Sequence, residues 1–381
     1  MRRLLYVSLA LVFVNLDAHS DQSNRRFPVA RTLQIHLMAG QSNMTGQAHV
    51  FQEGDDFLAL QGDPDATSLE FLLNNPAYVA SLSPSTYPVL SLLDPSWMLT
   101  RQEDVWGIHL QALNGTPLEV RTGPSSTLGT WTESENTMGI GFGGVGFIWS
   151  RFGIELAMGR ILKAVSDQPQ YIFKVDTAGT RIDTHWRPPS AGGTVGTHYV
   201  NMMTQFQAFL ASLDADLADD GYLNDHGDAT AYEITSFTWW QGANNRGDGQ
   251  ANLDLYRDLQ VDLVNDVRAD LGVPNLPMIL VEHAQVDRVV ELDGTLSGAD
   301  GTVSQAKKDA IDILELTTPG TVFFVRTNDL LSTPNLNDPF HFEKRAENYL
   351  QVGWRVAREL IGNELLGTTL KPAKPPLVVK R

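Results

Sequence analysis

From about residue 170 the chain alternates between short apolar runs and longer amphipathic segments, and this alternation limits the folds open to it. "QYIFKV" (Gln170–Val175), "EITSFTWW" (Glu233–Trp240), "PMILVE" (Pro277–Glu282) and "TVFFV" (Thr321–Val325) read as strands: they are short, apolar and bounded by turn formers. The stretches between them read as helices. Over Tyr199–Leu213, Met202, Met203, Phe206, Phe209, Leu210 and Leu213 share one helical face. Over Leu253–Gly272, Leu255, Leu259, Leu263, Val264, Val267 and Leu271 recur at helical spacing, and Gly272 and Pro274 stop the helix. Ser304–Leu316 and Glu343–Ile361 complete the set, and "LQIHLMA" (Leu33–Ala39) adds a strand near the start. The expectation is an α/β protein with about five parallel strands, helices covering both faces of the sheet. Residues 50–140 break the rhythm, are rich in Asp, Pro, Ser and Gly, and read as a long insertion after the first helix. No internal repeat is present.

The ends carry different signals. Arg2 and Arg3 precede an apolar run from Leu4 to Leu16, followed by Ala18-His19-Ser20 and a polar stretch. This order is that of an export signal over residues 1–20, too short to span a membrane. The expected location is therefore secreted or periplasmic, with one domain over 31–362 and a basic, Pro-rich tail over 363–381. Cysteine is absent, which excludes thiol catalysis, disulfides and Cys-ligated metals. With 28 Lys and Arg against 45 Asp and Glu, the net charge of −17 disfavours nucleic acid and anionic membranes as partners. The sequence leaves the oligomeric state open.

Ligands of open parallel sheets sit at the carboxyl ends of the strands. Three unusual segments fall there: "GQSN" after the first strand, "WWQGANN" (Trp239–Asn245), and "NDPFH" (Asn337–His341) before the last helix. A serine hydroxyl needs a base within hydrogen-bond reach and a carboxylate to orient that base. Ser42, His341 and Asp338 supply these residue types in the chain order Ser, Asp, His. Taken alone, His341 also fits a surface helix start, and Asp338 an ordinary helix cap. Donors for an oxyanion are available in Gln241 or Asn244 and in the glycines of "GFGGVG" (Gly141–Gly146). Those glycines also match G-x-G-x-x-G, but the polar "TWTESENTMGI" before them lacks the strand a dinucleotide fingerprint requires. His36, His185, His198 and His283 have no metal-ligand spacing, so neither metal nor cofactor is expected. Trp131, Trp186 and Trp240 suit stacking on a sugar face or, by default, core packing.

"AGQSNMTG", "WWQGANN" and "DPFHF" together resemble the SGNH hydrolase superfamily, and more closely its branch of acetyl xylan esterases and sialate O-acetylesterases. "EDVWG", "GVGFIWSRFGIELA" and "KVDTAGTRIDTHW" follow in the order of that branch, so the resemblance runs from about residue 33 to 360. It implies a flavodoxin-like three-layer α/β/α fold and removal of acetyl groups from an acetylated saccharide. By this resemblance Ser42 is the nucleophile, His341 the base and Asp338 its orienter. The oxyanion hole comprises the N–H groups of Ser42 and Gly146, with Gly144 as the alternative glycine, and the Gln241 side chain. Gln41, Asn43, Trp240, Asn244 and Arg181 are the candidate substrate contacts. The chain departs from the branch at Ala243 and Asn245, where acidic residues are usual. Two other readings follow from these residues: a carbohydrate-binding protein on a decayed hydrolase fold, and a hydrolase of a non-carbohydrate ester.

Overall fold

The computed structural model describes residues 30–50, 67–93, 104–111, 119–120, 151–245, 249–283, 289–290, 296–297, 300–330 and 339–362. The expected export signal over 1–20, the tail over 363–381, and Trp131, Gly144, Gly146 and Asp338 lie outside the described residues.

The chain enters through β1 (Thr32–Gly40), a short helix α1 (Ser42–Thr45) and β2 (Ala48–His49). Two short helices follow, α2 (Leu69–Asn74) and α3 (Pro76–Ser81), then β3 (Val105–Gln111), β4 (Glu119–Val120) and β5 (Arg151–Phe152). A regular alternation comes next. It consists of α4 (Glu155–Val165), β6 (Gln170–Asp176), α5 (Thr197–Asp220), β7 (Ala231–Trp240), α6 (Gln250–Leu271) and β8 (Met278–Val281). A small pair, β9 (Val289–Val290) and β10 (Leu296–Ser297), precedes α7 (Asp300–Glu315), β11 (Val322–Val325) and α8 (Ala346–Ile361).

The main sheet has the order β11-β8-β7-β1-β6-β3-β4. All its pairings are parallel except that of β3 with β4. The strands read from sequence are β1, β6, β7, β8 and β11. Numbered in chain order they run 2-1-3-4-5 across the sheet, the flavodoxin-like order. The structure adds β3, which extends the parallel sheet beyond β6. Part of the 50–140 insertion is therefore sheet, not loop. The run "VWGIHLQ" is short and lies between polar stretches, which hid it from a reading by periodicity.

Side chains alternate across β1 and divide the core in two. Leu33, Ile35, Leu37 and Ala39 meet α5, α6 and α7 on one face; Met38 joins α4, α8 and the 69–93 segment on the other. On α5 the expected stripe is buried, with Phe209 partly so. On α6 the stripe is turned slightly: Leu253 and Tyr256 are buried and Leu255 faces solvent. Gly272 closes α6 in the left-handed conformation, as a helix-stopping glycine should. The last helix starts later than the sequence pattern suggested. Pro339–Lys344 forms a 3-10 turn first, and that turn carries His341.

The α4/α8 face holds a buried polar row. His36 on β1 places Nδ1 2.8 Å from Ser236 Oγ and Nε2 2.9 Å from Gln170 Oε1. Burial pushes the His36 imidazole down to about 4, only partly opposed by the bond to Gln170. The folded state thus binds its proton less readily than the unfolded chain does. Stability from this group is complete above about pH 6.5 and is lost as the pH falls towards 4, on the order of 3 kcal/mol at the limit. Urea unfolding at stepped pH should record this loss. Its slope between pH 6.5 and 4 should be shallower in His36→Gln, the remainder coming from buried His49 and His198, which are also pushed down.

Candidate active site

β1 lies between β6 and β7, and successive strands are added on opposite sides of it, so its carboxyl end opens at the switch in strand order. The chain crosses that point tightly. A Cβ on Gly40 would stand 2.2 Å from the Trp240 carbonyl oxygen, so glycine lets the ends of β1 and β7 approach. The Gln41 N–H then donates to that carbonyl at 3.1 Å. Ser42 follows as the first residue of α1, half-buried, with no carbonyl inside the helix for its own N–H.

Ser42 and His341 are separated by almost the whole described chain, yet His341 Nε2 lies 2.9 Å from Ser42 Oγ. His341 is half-buried on its 3-10 turn. The structure brings these two sequence candidates together; Asp338 and Gly146 lie outside the described residues. The carbonyl of Ser42 accepts from Gln47 Nε2, and Arg151 donates to Gln47 Oε1 from β5. Asn43 is buried and accepts the Tyr349 hydroxyl at 2.9 Å.

The segment after β7 differs from the sequence reading. Gln241 is fully buried, and its amide donates to the Thr180 carbonyl at 3.0 Å and to Asn245 Oδ1 at 2.8 Å. Both donors are committed, so the side chain braces the loop and does not present an N–H to a ligand. A buried amide is driven to such partners because an unpaired donor there is costly. Asn245, noticed in the sequence only as a lost acidic residue, is the hub of this loop. Its Oδ1 also accepts the Ile182 N–H, and its Nδ2 donates to Asp183. Gln41 is likewise internal, its Oε1 accepting the Gly242 N–H at 3.3 Å. Trp240 is fully buried against Phe342 and Tyr349, its indole N–H given to the Glu282 carbonyl, which is the setting of a core tryptophan. Trp186 is buried too, edge-on to Trp239. Only Arg181 and Asn244 of the candidate contacts keep polar surface. Arg181 pairs with Asp183 and donates to the Asn244 carbonyl, while Asn244 is exposed and donates to the Gly179 carbonyl.

Two buried charge networks support the ends of these strands. Beneath α1, Asp176 receives the Thr45 hydroxyl and faces His109 Nε2. Burial pushes the Asp176 carboxyl up, but His109, Lys174 and the Thr45 hydroxyl outweigh it and hold it below the usual carboxylate range. Lys174 donates to the Thr45 carbonyl and pairs with Glu155 at 3.0 Å. On the other side of β1, Lys307 reaches from α7 and donates to the carbonyls of Gln241 and Val281, each at 2.6 Å. Burial pushes its ammonium down to about 7, against the pull of Glu282. The Tyr256 hydroxyl donates to the same Gln241 carbonyl. Lys307 has a sequence signal that was missed: it falls on the buried stripe Val303, Ala306, Ala310, Leu314. Among the described residues no group of three or more His, Asp or Glu side chains is placed to hold a metal ion.

A family model described as carbohydrate esterase, sialic acid-specific acetylesterase matches residues 130–362. Among solved structures, a protein from Arabidopsis thaliana aligns at 17% identity and a TM-score of 0.46, covering 85% of this chain and 96% of its own. A carbohydrate acetylesterase from Xanthomonas citri aligns at 15% identity and a TM-score of 0.45, covering 85% of this chain and 55% of its own. No curated protein sequence matches the chain. The family match extends over more than half of the chain and includes His341, so the chain belongs to the carbohydrate esterase, sialic acid-specific acetylesterase family, as a hydrolase of the carbohydrate O-acetylesterase type.

Proposed function

We propose that the protein removes acetyl groups from an acetylated saccharide through an acyl-enzyme on Ser42, with His341 as base and then acid. The observation that carries this reading is the 2.9 Å contact between His341 Nε2 and Ser42 Oγ at the carboxyl end of β1. In the first half-reaction Ser42 Oγ attacks the acetyl carbon and its proton passes to His341 Nε2. The tetrahedral intermediate collapses, the sugar oxygen leaves, and it takes that proton from His341. Water then gives a proton to His341, attacks the acetyl-serine and releases acetate, and the proton returns to Ser42 Oγ.

The Ser42 N–H is the described backbone donor suited to the oxyanion, with Gly146 as the second by family resemblance. Asp338 takes the orienting role on the same ground. Gln241 acts by holding the loop after β7 against the loop after β6, since both its amide hydrogens are occupied. Arg181 and Asn244, on the loops after β6 and β7, offer polar surface for a saccharide. We place the activity outside the cytoplasm, secreted or periplasmic, on the basic start, the apolar run and the polar stretch after it. The net charge of −17 supports a saccharide partner over nucleic acid or an anionic membrane.

Ser42→Ala should lower kcat on 4-nitrophenyl acetate and on acetylated saccharide by about a thousandfold or more, with the fold retained by circular dichroism. A serine-independent activity would contradict the mechanism.

The Asn245 hub yields a second expectation. Asn245→Asp restores the acidic residue usual in the related branch, but it sets a carboxylate against Asp183 where the amide now donates at 2.9 Å. The variant should lose about 1–3 kcal/mol of stability in urea unfolding at neutral pH, and recover part of it at pH 4, where one carboxylate protonates.

A further inference from the structure

Three aromatic residues meet beneath the Ser42–His341 contact, and each belongs to a different segment of the site. Trp240 is the last residue of β7 and leads into Gln241. Phe342 follows His341 directly. Tyr349 projects from α8 and gives its hydroxyl to Asn43, the neighbour of Ser42. All three are fully buried. The Phe342 ring lies 5.8 Å from Trp240 and 6.3 Å, edge-on, from Tyr349; Trp240 and Tyr349 are 5.8 Å apart.

Phe342 has φ +52, a left-handed backbone that a bulky residue adopts only where its surroundings enforce it. Its carbonyl accepts the Arg345 N–H at 3.1 Å and the Asn348 side-chain amide at 3.2 Å, so both the turn and the ring are held. That backbone turns Phe342 into the core, between Trp240 and Tyr349, while His341, one residue earlier, meets Ser42.

We propose that Phe342 and Tyr349 are positioning residues of the hydrolytic site, closing with Trp240 into an aromatic clasp that sets the distance between Ser42 Oγ and His341 Nε2. The proposal rests on the reading of Ser42 and His341 as nucleophile and base. The clasp joins the chain on either side of the reacting pair: Asn43 beside Ser42 through the Tyr349 hydroxyl, and His341 through the Phe342 backbone. Its effect is on geometry, and a misplacement of about 1 Å between reacting groups costs up to about a hundredfold in rate. It touches no substrate, so substrate affinity should be largely indifferent to it.

The test compares Phe342→Leu, Tyr349→Phe, Ser42→Ala and Leu162→Ala in the full chain, with 4-nitrophenyl acetate as probe and thermal unfolding measured for each. Leu162 is buried in the same half of the core but belongs to α4, which contributes no residue to the clasp. Phe342→Leu should lower kcat about tenfold or more with KM within about twofold, and Tyr349→Phe should lower kcat about threefold. Leu162→Ala should lower the melting temperature while kcat stays within about twofold. If Phe342→Leu does not fold, Tyr349→Phe, which keeps the ring and removes only the hydroxyl, decides the matter. The clasp is overturned if the folded clasp variants keep wild-type kcat while Ser42→Ala is inactive, or if Leu162→Ala loses as much kcat as they do. Activity retained in Ser42→Ala would overturn the clasp together with the reading beneath it.

Discussion

The hydrogen bond from the Gln41 N–H to the Trp240 carbonyl, 3.1 Å long, joins the residue after β1 to the end of β7 and fixes where the site can form. It requires the two strand ends to approach more closely than a Cβ on Gly40 would permit. Once they do, Ser42 must begin α1 at the mouth of the sheet, and Gln241 must turn inward beside it. Everything at the site is referred to this seam: the braces on Gln241, the contact of His341 with Ser42, and the aromatic packing of Trp240.

The seam is held from both sides by buried charge, which is costly unless paired. On the β6 side, Asp176, His109, Thr45, Lys174 and Glu155 form one connected set ending on the carbonyl of Thr45, the last residue of α1. On the β8 side, Lys307 spends its ammonium on two backbone carbonyls, one of them that of Gln241. Both sets are buried. Their geometry is that of supports which make the strand ends rigid, so that little reorganisation is needed when a substrate arrives.

Much of this was legible in the chain. The flavodoxin-like core strands could be read because each apolar run is separated from the next by a helix with a clear buried stripe. Ser42 and His341 could be read because both fall at strand ends in motifs of a known kind. What escaped depended on contacts between distant segments. Gln241 looks like a free donor in "WWQGANN", and only the fold brings it the Thr180 carbonyl. Asn245 looks like a loss until Ile182, Asp183 and Gln241 gather around it. Trp240, a candidate substrate contact although core packing is the default for tryptophan, is covered by the Phe342 turn. Strand β3 was masked by the polar insertion that carries it.

The central claim is that Ser42 is the nucleophile, activated by His341. It is tested most directly by treating the wild-type protein with a serine-directed fluorophosphonate and locating the adduct by peptide mass spectrometry. The account predicts one stoichiometric adduct, on Ser42, formed at a rate that falls sharply in His341→Ala. An adduct on another residue, or labelling of Ser42 as fast without His341 as with it, would contradict it.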